Sequence, residues 1–268
     1  MCTYASLYGL GALNKDRSIV APYCNLKHLK SIFEHLSLPQ APLLYIPINT
    51  SNLLSYLKLE DRNIPATSNF IDGFRYPCSY TFFDHAQDEI RREFQFSEDL
   101  QRHARKVLSK ANVNSLKNPT YVAIHVRRGD YQKRWLDIFK GVAVNKEYFQ
   151  KALEYFRNKY QRLVFVVVSD DRLWCINHLS GILGVYVTEE APTPMHDLAV
   201  MAHCNHTIMT YGTFGFWGAY LAGGDVVYFD KFLEPNTSFT KNNFIFDKMY
   251  PPRWKGIVTT NITKLKYS

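Results

Sequence analysis

No apolar run in this 268-residue chain approaches the roughly 20 residues needed to cross a bilayer, so the sequence offers no membrane span. Its first stretch, Met1–Asn14 (MCTYASLYGLGALN), lacks the basic start of a signal peptide and already carries polar residues. Blocks of five or six basic residues are also missing. The net charge of +8 is spread along the chain, which argues against a nucleic-acid tail and leaves some other anionic partner to be found. Cysteine is scarce and unpaired in spacing: Cys2, Cys24, Cys78, Cys175 and Cys204 match neither a zinc site nor a dense disulfide framework. One or two disulfides remain open, and their pairing is not legible. There is no GxxxxGK[ST] phosphate loop, and no Asp-x-Asp triplet of the kind that holds a divalent metal on a diphosphate.

What is present reads as an ordinary globular α/β protein, 46% hydrophobic and 21% charged. Tyr4, Leu7, Tyr8, Leu10 and Leu13 suit a packed helix over Met1–Asn14. Ser18–Ala21 reads as a strand ended by Pro22, and Leu26–Leu36 as a helix with Leu29, Ile32, Phe33 and Leu36 on one face. Asp84–Phe94 and Glu98–Ala111 read as two more helices, charged outside and apolar inside. The polar stretch Asn112–Pro119 (NVNSLKNP) is expected to divide two lobes, 1–118 and 119–268.

The second half alternates regularly. Strands are expected at Tyr121–Val126, Leu163–Val168, Val185–Val187, His206–Met209 and Val226–Phe229. Helical patterns at Lys146–Tyr160, Leu173–His178, Asp197–Cys204 and Phe216–Leu221 separate most of them, which predicts parallel βαβ units. Ligands in such sheets bind beyond the carboxyl ends of the strands.

Three of those ends carry chemistry. The first is His125-Val126-Arg127-Arg128-Gly129-Asp130-Tyr131. Two guanidiniums at the mouth of a parallel sheet suit a phosphate clamp, and a surface ion pair with Asp130 is the competing reading. The second is Ser169-Asp170-Asp171, whose carboxylates suit ribose hydroxyls or a purine edge, or else cap the helix that follows. The third is Thr210-Tyr211-Gly212-Thr213-Phe214-Gly215, a glycine-bearing loop that can offer backbone N–H groups to a diphosphate. Asp197 opens a helix, where capping is the simple role.

Taken in order, HVRRGDY, the Ser169–Asp171 segment and Cys204–Asp225 (CNHTIMTYGTFGFWGAYLAGGD) resemble the motifs of α-1,2-fucosyltransferases. Further similarity lies in Tyr76–Phe82, Lys140-Gly141-Val142 and Trp174-Cys175. The resemblance implies an α/β, GT-B-like fold of two Rossmann-like lobes, the first shortened at its start. It implies acceptor handling by 1–118 and GDP-fucose binding by 119–268. It also implies metal-free, inverting transfer of fucose in α-1,2 linkage to a galactose-type glycan. By motif match, Arg128 would grip the donor phosphate, with Arg127 and His125 in support. Ser169, Asp170 and Asp171 would lie near the guanosine, and Asp197, Thr213 and Phe214 would complete the pocket. Asp130 is the favoured acceptor base, with His125, Asp84 and His85 as alternatives. Family members sit on the lumenal side of the Golgi membrane through an N-terminal anchor that this chain does not carry, so a longer form is expected. Sequons at Asn49, Asn205, Asn236 and Asn261 agree with that route. A catalytically inactive binder, or a fucosyltransferase with another acceptor, are the rival expectations.

Overall fold

A computed structural model describes residues 1–14, 19–40, 50–52, 70–72, 78–132, 138, 140–234, 237 and 248–259. The chain packs as two compact units, 1–97 with 243–251 and 98–242 with 252–268. The boundary therefore falls before the helix Glu98–Ala111, not in the polar stretch that follows it. Asn112–Pro119 is instead a coil inside the second unit, with Ser115 and Asn118 at positive φ and the Asn112 side chain bonded to the backbone of Leu116. Tyr76, Pro77 and the sequon asparagines Asn49, Asn236 and Asn261 lie outside the described residues.

In the first unit, α1 (Cys2–Leu13) forms where a helix was expected and buries Tyr4, Ala5 and Leu10, while Leu7 and Tyr8 are half-buried and Leu13 is exposed. Cys2 is disulfide-bonded to Cys78, a pairing that the spacing did not reveal. α2 (Tyr23–Leu29) is shorter than the predicted Leu26–Leu36 helix. The chain leaves it so that Phe33 bridges Phe96 and stacks among Phe94 and Phe96, and burying these rings outweighs continuing the helical repeat. Ser18 lies outside the described residues; Ile19 and Val20 are not in a strand, and Ala21 makes a lone bridge to Gln40. The Asp84–Phe94 pattern begins as a 3₁₀ turn, Asp84–Ala86, and continues as α3 (Gln87–Glu93). Buried Glu93 accepts hydrogen bonds from Tyr4, the Ser37 backbone and the Ser37 hydroxyl, tying α3 to α1 and to the loop after α2. Two short strands, β1 (Thr50–Asn52) and β2 (Phe70–Asp72), pair in parallel.

The second unit opens with α4 (Glu98–Ala111), where Leu100, Ala104, Leu108 and Ala111 form the buried stripe. Its sheet contains β3 (Thr120–Val126), β4 (Leu163–Ser169), β5 (Val185–Val187), β6 (His206–Met209), β7 (Val226–Phe229) and β8 (Lys255–Ile257), all parallel, in the order β5-β4-β3-β6-β7-β8. Between them run α5 (Lys146–Lys159), α6 (Arg172–Leu179), α7 (Pro194–Ala202) and α8 (Thr213–Ala222). The core of β4 is buried throughout because the sheet is covered on both faces, which explains why that strand reads as an unbroken apolar run. β8 escaped the sequence reading because Lys-Gly-Ile is short, half polar and paired on one side only.

This strand order reverses direction between β3 and β6, and nucleotide-binding sheets of this order open their crevice at that switch point. Register fixes which residues meet there. Val126 pairs with Ser169 at the end of β4, and His125 pairs with Met209 at the end of β6.

Candidate functional site

Three loops leave the sheet side by side at the switch point, and short polar bonds stitch them together. Ser169 Oγ donates to the Val126 carbonyl at 2.8 Å and accepts from the Asp171 amide at 2.9 Å. The Arg127 amide donates to Thr210 Oγ1 at 3.0 Å, and the Arg128 amide donates to Asp170 Oδ1 at 2.9 Å. Ser169 is thus a buried tie between strands, and Asp170 holds the backbone of the arginine loop.

The two arginines are held differently. Arg127 reaches Asp130 at 2.8 Å and Asp170 at 3.3 Å, so its fork is occupied by two carboxylates. The ion pair with Asp130 expected as the competing reading is therefore real, but it belongs to Arg127. Arg128 donates through Nε to Asp171 at 3.1 Å and lies over the Trp174 indole, 4.1 Å from the ring centre. Its two terminal nitrogens carry no hydrogen bond among the described residues. Asp171 caps α6, one of the two roles read for it, by accepting from the Trp174 amide at 3.1 Å; it also accepts from Arg128 Nε, a contact the sequence reading did not include.

At the end of β6, Gly212 takes φ +91°, a conformation that a side chain would strain, and turns the chain into α8. No side-chain cap bond is made at the start of this helix, which leaves its first N–H groups without an intrahelical partner at the end of the β6 loop. Phe214 stacks on His125 with ring centres 5.6 Å apart, and Tyr211 stacks on Tyr131 at 4.7 Å. A Cβ on Gly215 would meet His125 Nδ1 at 2.5 Å, so this helix packs directly on the imidazole.

His125 is 3% exposed, and its Nδ1 has no hydrogen-bond partner among the described residues. Burial, with the Arg127 guanidinium adding to it, pushes the ring from its ordinary 6.5 down to about 3. So weak an acceptor of protons is a poor general base, and the ring acts instead as the platform between β3 and α8. The folded state keeps it neutral, while the unfolded chain protonates it below pH 6.5. Its contribution to stability is therefore complete above pH 6.5 and declines as the pH falls toward 3, by about 1.4 kcal/mol per unit. We expect the melting temperature of wild type to fall more between pH 7 and pH 5 than that of His125→Gln. Equal slopes for the two proteins would contradict this.

Asp197 does not cap its helix. α7 begins at Pro194 after Thr193, and Asp197, in the first turn, accepts two bonds from Arg172 Nη2 at 2.8 and 2.6 Å. Burial raises the Asp197 carboxyl, with Arg172 opposing the rise. Arg172 also donates to the carbonyls of Ser169 at 2.5 Å and Glu189 at 2.9 Å. The sequence reading passed over this arginine; its place directly after Asp171 was the available signal. Asp84 and His85 belong to the first unit, where His85 Nε2 donates to the Gly9 carbonyl at 2.9 Å. Among the described residues, no three His, Cys, Asp or Glu side chains are grouped to hold a metal ion, and no helix is long and apolar enough to cross a membrane.

The model of the family described as glycosyl transferase family 11 matches residues 1–258. Over 266 residues the chain is 37% identical to galactoside alpha-(1,2)-fucosyltransferase 1 of Rattus norvegicus, covering 96% of this chain and 69% of that protein. It is 36% identical over 273 residues to galactoside alpha-(1,2)-fucosyltransferase 2 of Hylobates lar, covering 100% of this chain and 78% of the relative. Among solved structures, NodZ alpha-1,6-fucosyltransferase soaked with GDP-fucose matches with a TM-score of 0.54 at 13% identity, over 85% of this chain and 90% of that one. That likeness concerns the fold, which is α/β and GT-B-like as the sequence implied.

Proposed function

Because the chain belongs to glycosyl transferase family 11, an enzyme family, we propose that it transfers fucose from GDP-fucose to the 2-hydroxyl of a galactose-type glycan. The observation that carries this reading is Arg128, braced on its Nε edge and its face at the switch point, beside the uncapped start of α8. A diphosphate placed there would take the terminal nitrogens of Arg128 and the first N–H groups of α8. Asp170, Asp171 and Asp197, with Arg172, line the side toward β4 that suits a nucleoside, and Thr213 and Phe214 close the opposite side. The second unit is thus the donor side, and the first unit is assigned to the acceptor.

The reaction is a single displacement with inversion at the sugar carbon. The bond from the acceptor oxygen to C1 of fucose forms as the bond from C1 to the diphosphate oxygen breaks, and GDP leaves with the electron pair. Negative charge builds on that oxygen, so a guanidinium fixed in advance lowers the barrier more than it aids ground-state binding. The acceptor proton passes to a carboxylate. Asp130, 47% exposed and held by Arg127, is the candidate, because the buried His125 lacks the basicity. The Cys2–Cys78 disulfide supports an oxidising compartment, and the Golgi lumen is the one proposed.

Incubation with GDP-fucose and a terminal β-galactoside should release GDP and give an α-1,2-fucosylated product, with the linkage read by NMR. GDP binding without turnover would reassign the chain as a donor-binding protein; product on a different hydroxyl would reassign the acceptor. We further expect transfer to persist in EDTA, since arginine takes the place that an Asp-x-Asp metal site would fill. Loss of most activity in chelator, restored by manganese, would refute the metal-free assignment.

A further inference from the structure

Trp174 touches the site through the Arg128 cation. On the same helix, Cys175 and Leu179 are fully buried and make the packing contacts with the sheet, while Leu173 and Ile176 face solvent at 70% and 50% exposure. Trp174 lies between these faces, with the Arg128 guanidinium 4.1 Å from its ring centre. We infer that Trp174 is a positioning residue for Arg128, setting the plane of the guanidinium so that its terminal nitrogens face the donor diphosphate; this rests on the donor-binding reading above.

The argument is geometric. An arginine side chain has several free torsions, and orienting its fork for a two-pronged contact requires fixing both an edge and a plane. Asp171 fixes the edge by accepting from Nε. A single carboxylate contact leaves the guanidinium able to rotate about that bond, and an aromatic face removes this freedom. The indole is itself well held. Its backbone amide donates to Asp171 at 3.1 Å, its carbonyl accepts from His178 Nδ1 at 2.8 Å, and the His178 ring stacks on it at 4.3 Å and 13°. Phe149 from α5 approaches at 6.1 Å. Edge and plane are thus set by residues of one helix N-terminus, and α6 places both together.

The test uses the full chain with Trp174→Met, which keeps apolar bulk but has no π face, Trp174→Phe, which restores one, Arg128→Lys, and the double variant Trp174→Met/Arg128→Lys. GDP affinity is measured by calorimetry, transfer kinetics with donor and acceptor varied separately, and folding by thermal melting. Trp174→Met should weaken GDP binding and kcat/KM for the donor by roughly five- to thirtyfold. The acceptor KM should change little, and Trp174→Phe should recover to within about threefold of wild type. In the double variant, the loss should stay close to that of Arg128→Lys alone, because both changes act through one guanidinium. A folded Trp174→Met protein within twofold of wild type overturns the inference, as do losses that multiply in the double variant. Should Trp174→Met not fold, Trp174→Leu takes its place, and failure of both makes the indole a structural residue and ends the idea. If wild type binds no GDP, or Arg128→Lys binds it unchanged, the donor-binding reading itself falls; weakened binding in Arg128→Lys with none in Trp174→Met removes only the role of Trp174.

Discussion

Transfer should fall tens- to hundreds-fold when Arg128 is replaced by lysine, with the fold intact. Lysine keeps the charge but loses the planar fork, the Nε bond to Asp171 and part of the stack on Trp174. A charge-assisted hydrogen bond to a ligand contributes about 1.5–3 kcal/mol, and each ~1.4 kcal/mol is about tenfold in rate. Stability should change by less than about 1 kcal/mol, because Asp171 is 37% exposed and still caps α6 after the substitution. Arg127→Lys should cost less activity. Its fork is already engaged by Asp130 and Asp170, so its work is to hold the loop. A folded Arg128→Lys enzyme with near-normal GDP affinity and turnover would end the proposed role.

The largest loss of stability is expected from Arg172→Ala. The Arg172 and Asp197 side chains are 18% and 14% exposed, and the guanidinium also satisfies the carbonyls of Ser169 and Glu189. Removing it leaves a poorly hydrated carboxylate and a part-buried Ser169 carbonyl without its donor, while the exposed Glu189 carbonyl can turn to water. Breaking a buried pair from one side costs about 3–5 kcal/mol, and the residual exposure here brings the expectation to about 2–4 kcal/mol. Two controls identify the cause. Replacing both partners, as Arg172→Met with Asp197→Leu, should recover much of the loss, since no charge is then left unpaired. The deficit of Arg172→Ala should also shrink at low pH. Burial already raises Asp197 above its ordinary 3.8, and without Arg172 the carboxyl protonates sooner on acidification, relieving the unpaired charge. Denaturant melts at pH 5 and pH 8 decide the matter; an equal deficit at both would mean that lost packing, not stranded charge, destabilises the variant.

Activity should follow this defect only indirectly. Arg172 clasps the carbonyl at the very end of β4, from which Asp170 and Asp171 depart to hold the arginine loop. Loosening that turn should weaken donor binding before it alters the acceptor, the pattern that a positioning role requires.

Local chemistry in the sequence was enough to determine much of this protein. The strands of the larger sheet except β8, the helices between them and the amphipathic α4 follow from apolar runs and periodicity, which report burial over a few neighbouring residues. Gly212 and the polar residues after β3, β4 and β6 marked the strand ends as the place where a ligand is expected. Tertiary structure alone decided the rest, because it depends on pairings between distant segments. The order β5-β4-β3-β6-β7-β8 sets the switch point between β3 and β6, and no window of sequence contains it. The same holds for Cys2 with Cys78, for the early end of α2 on the Phe33 cluster, and for Asp197 with Arg172. Most consequential is the difference between two adjacent arginines. Composition and spacing leave Arg127 and Arg128 alike, but in the loop after β3 one meets a pair of carboxylates and the other an indole and a helix cap.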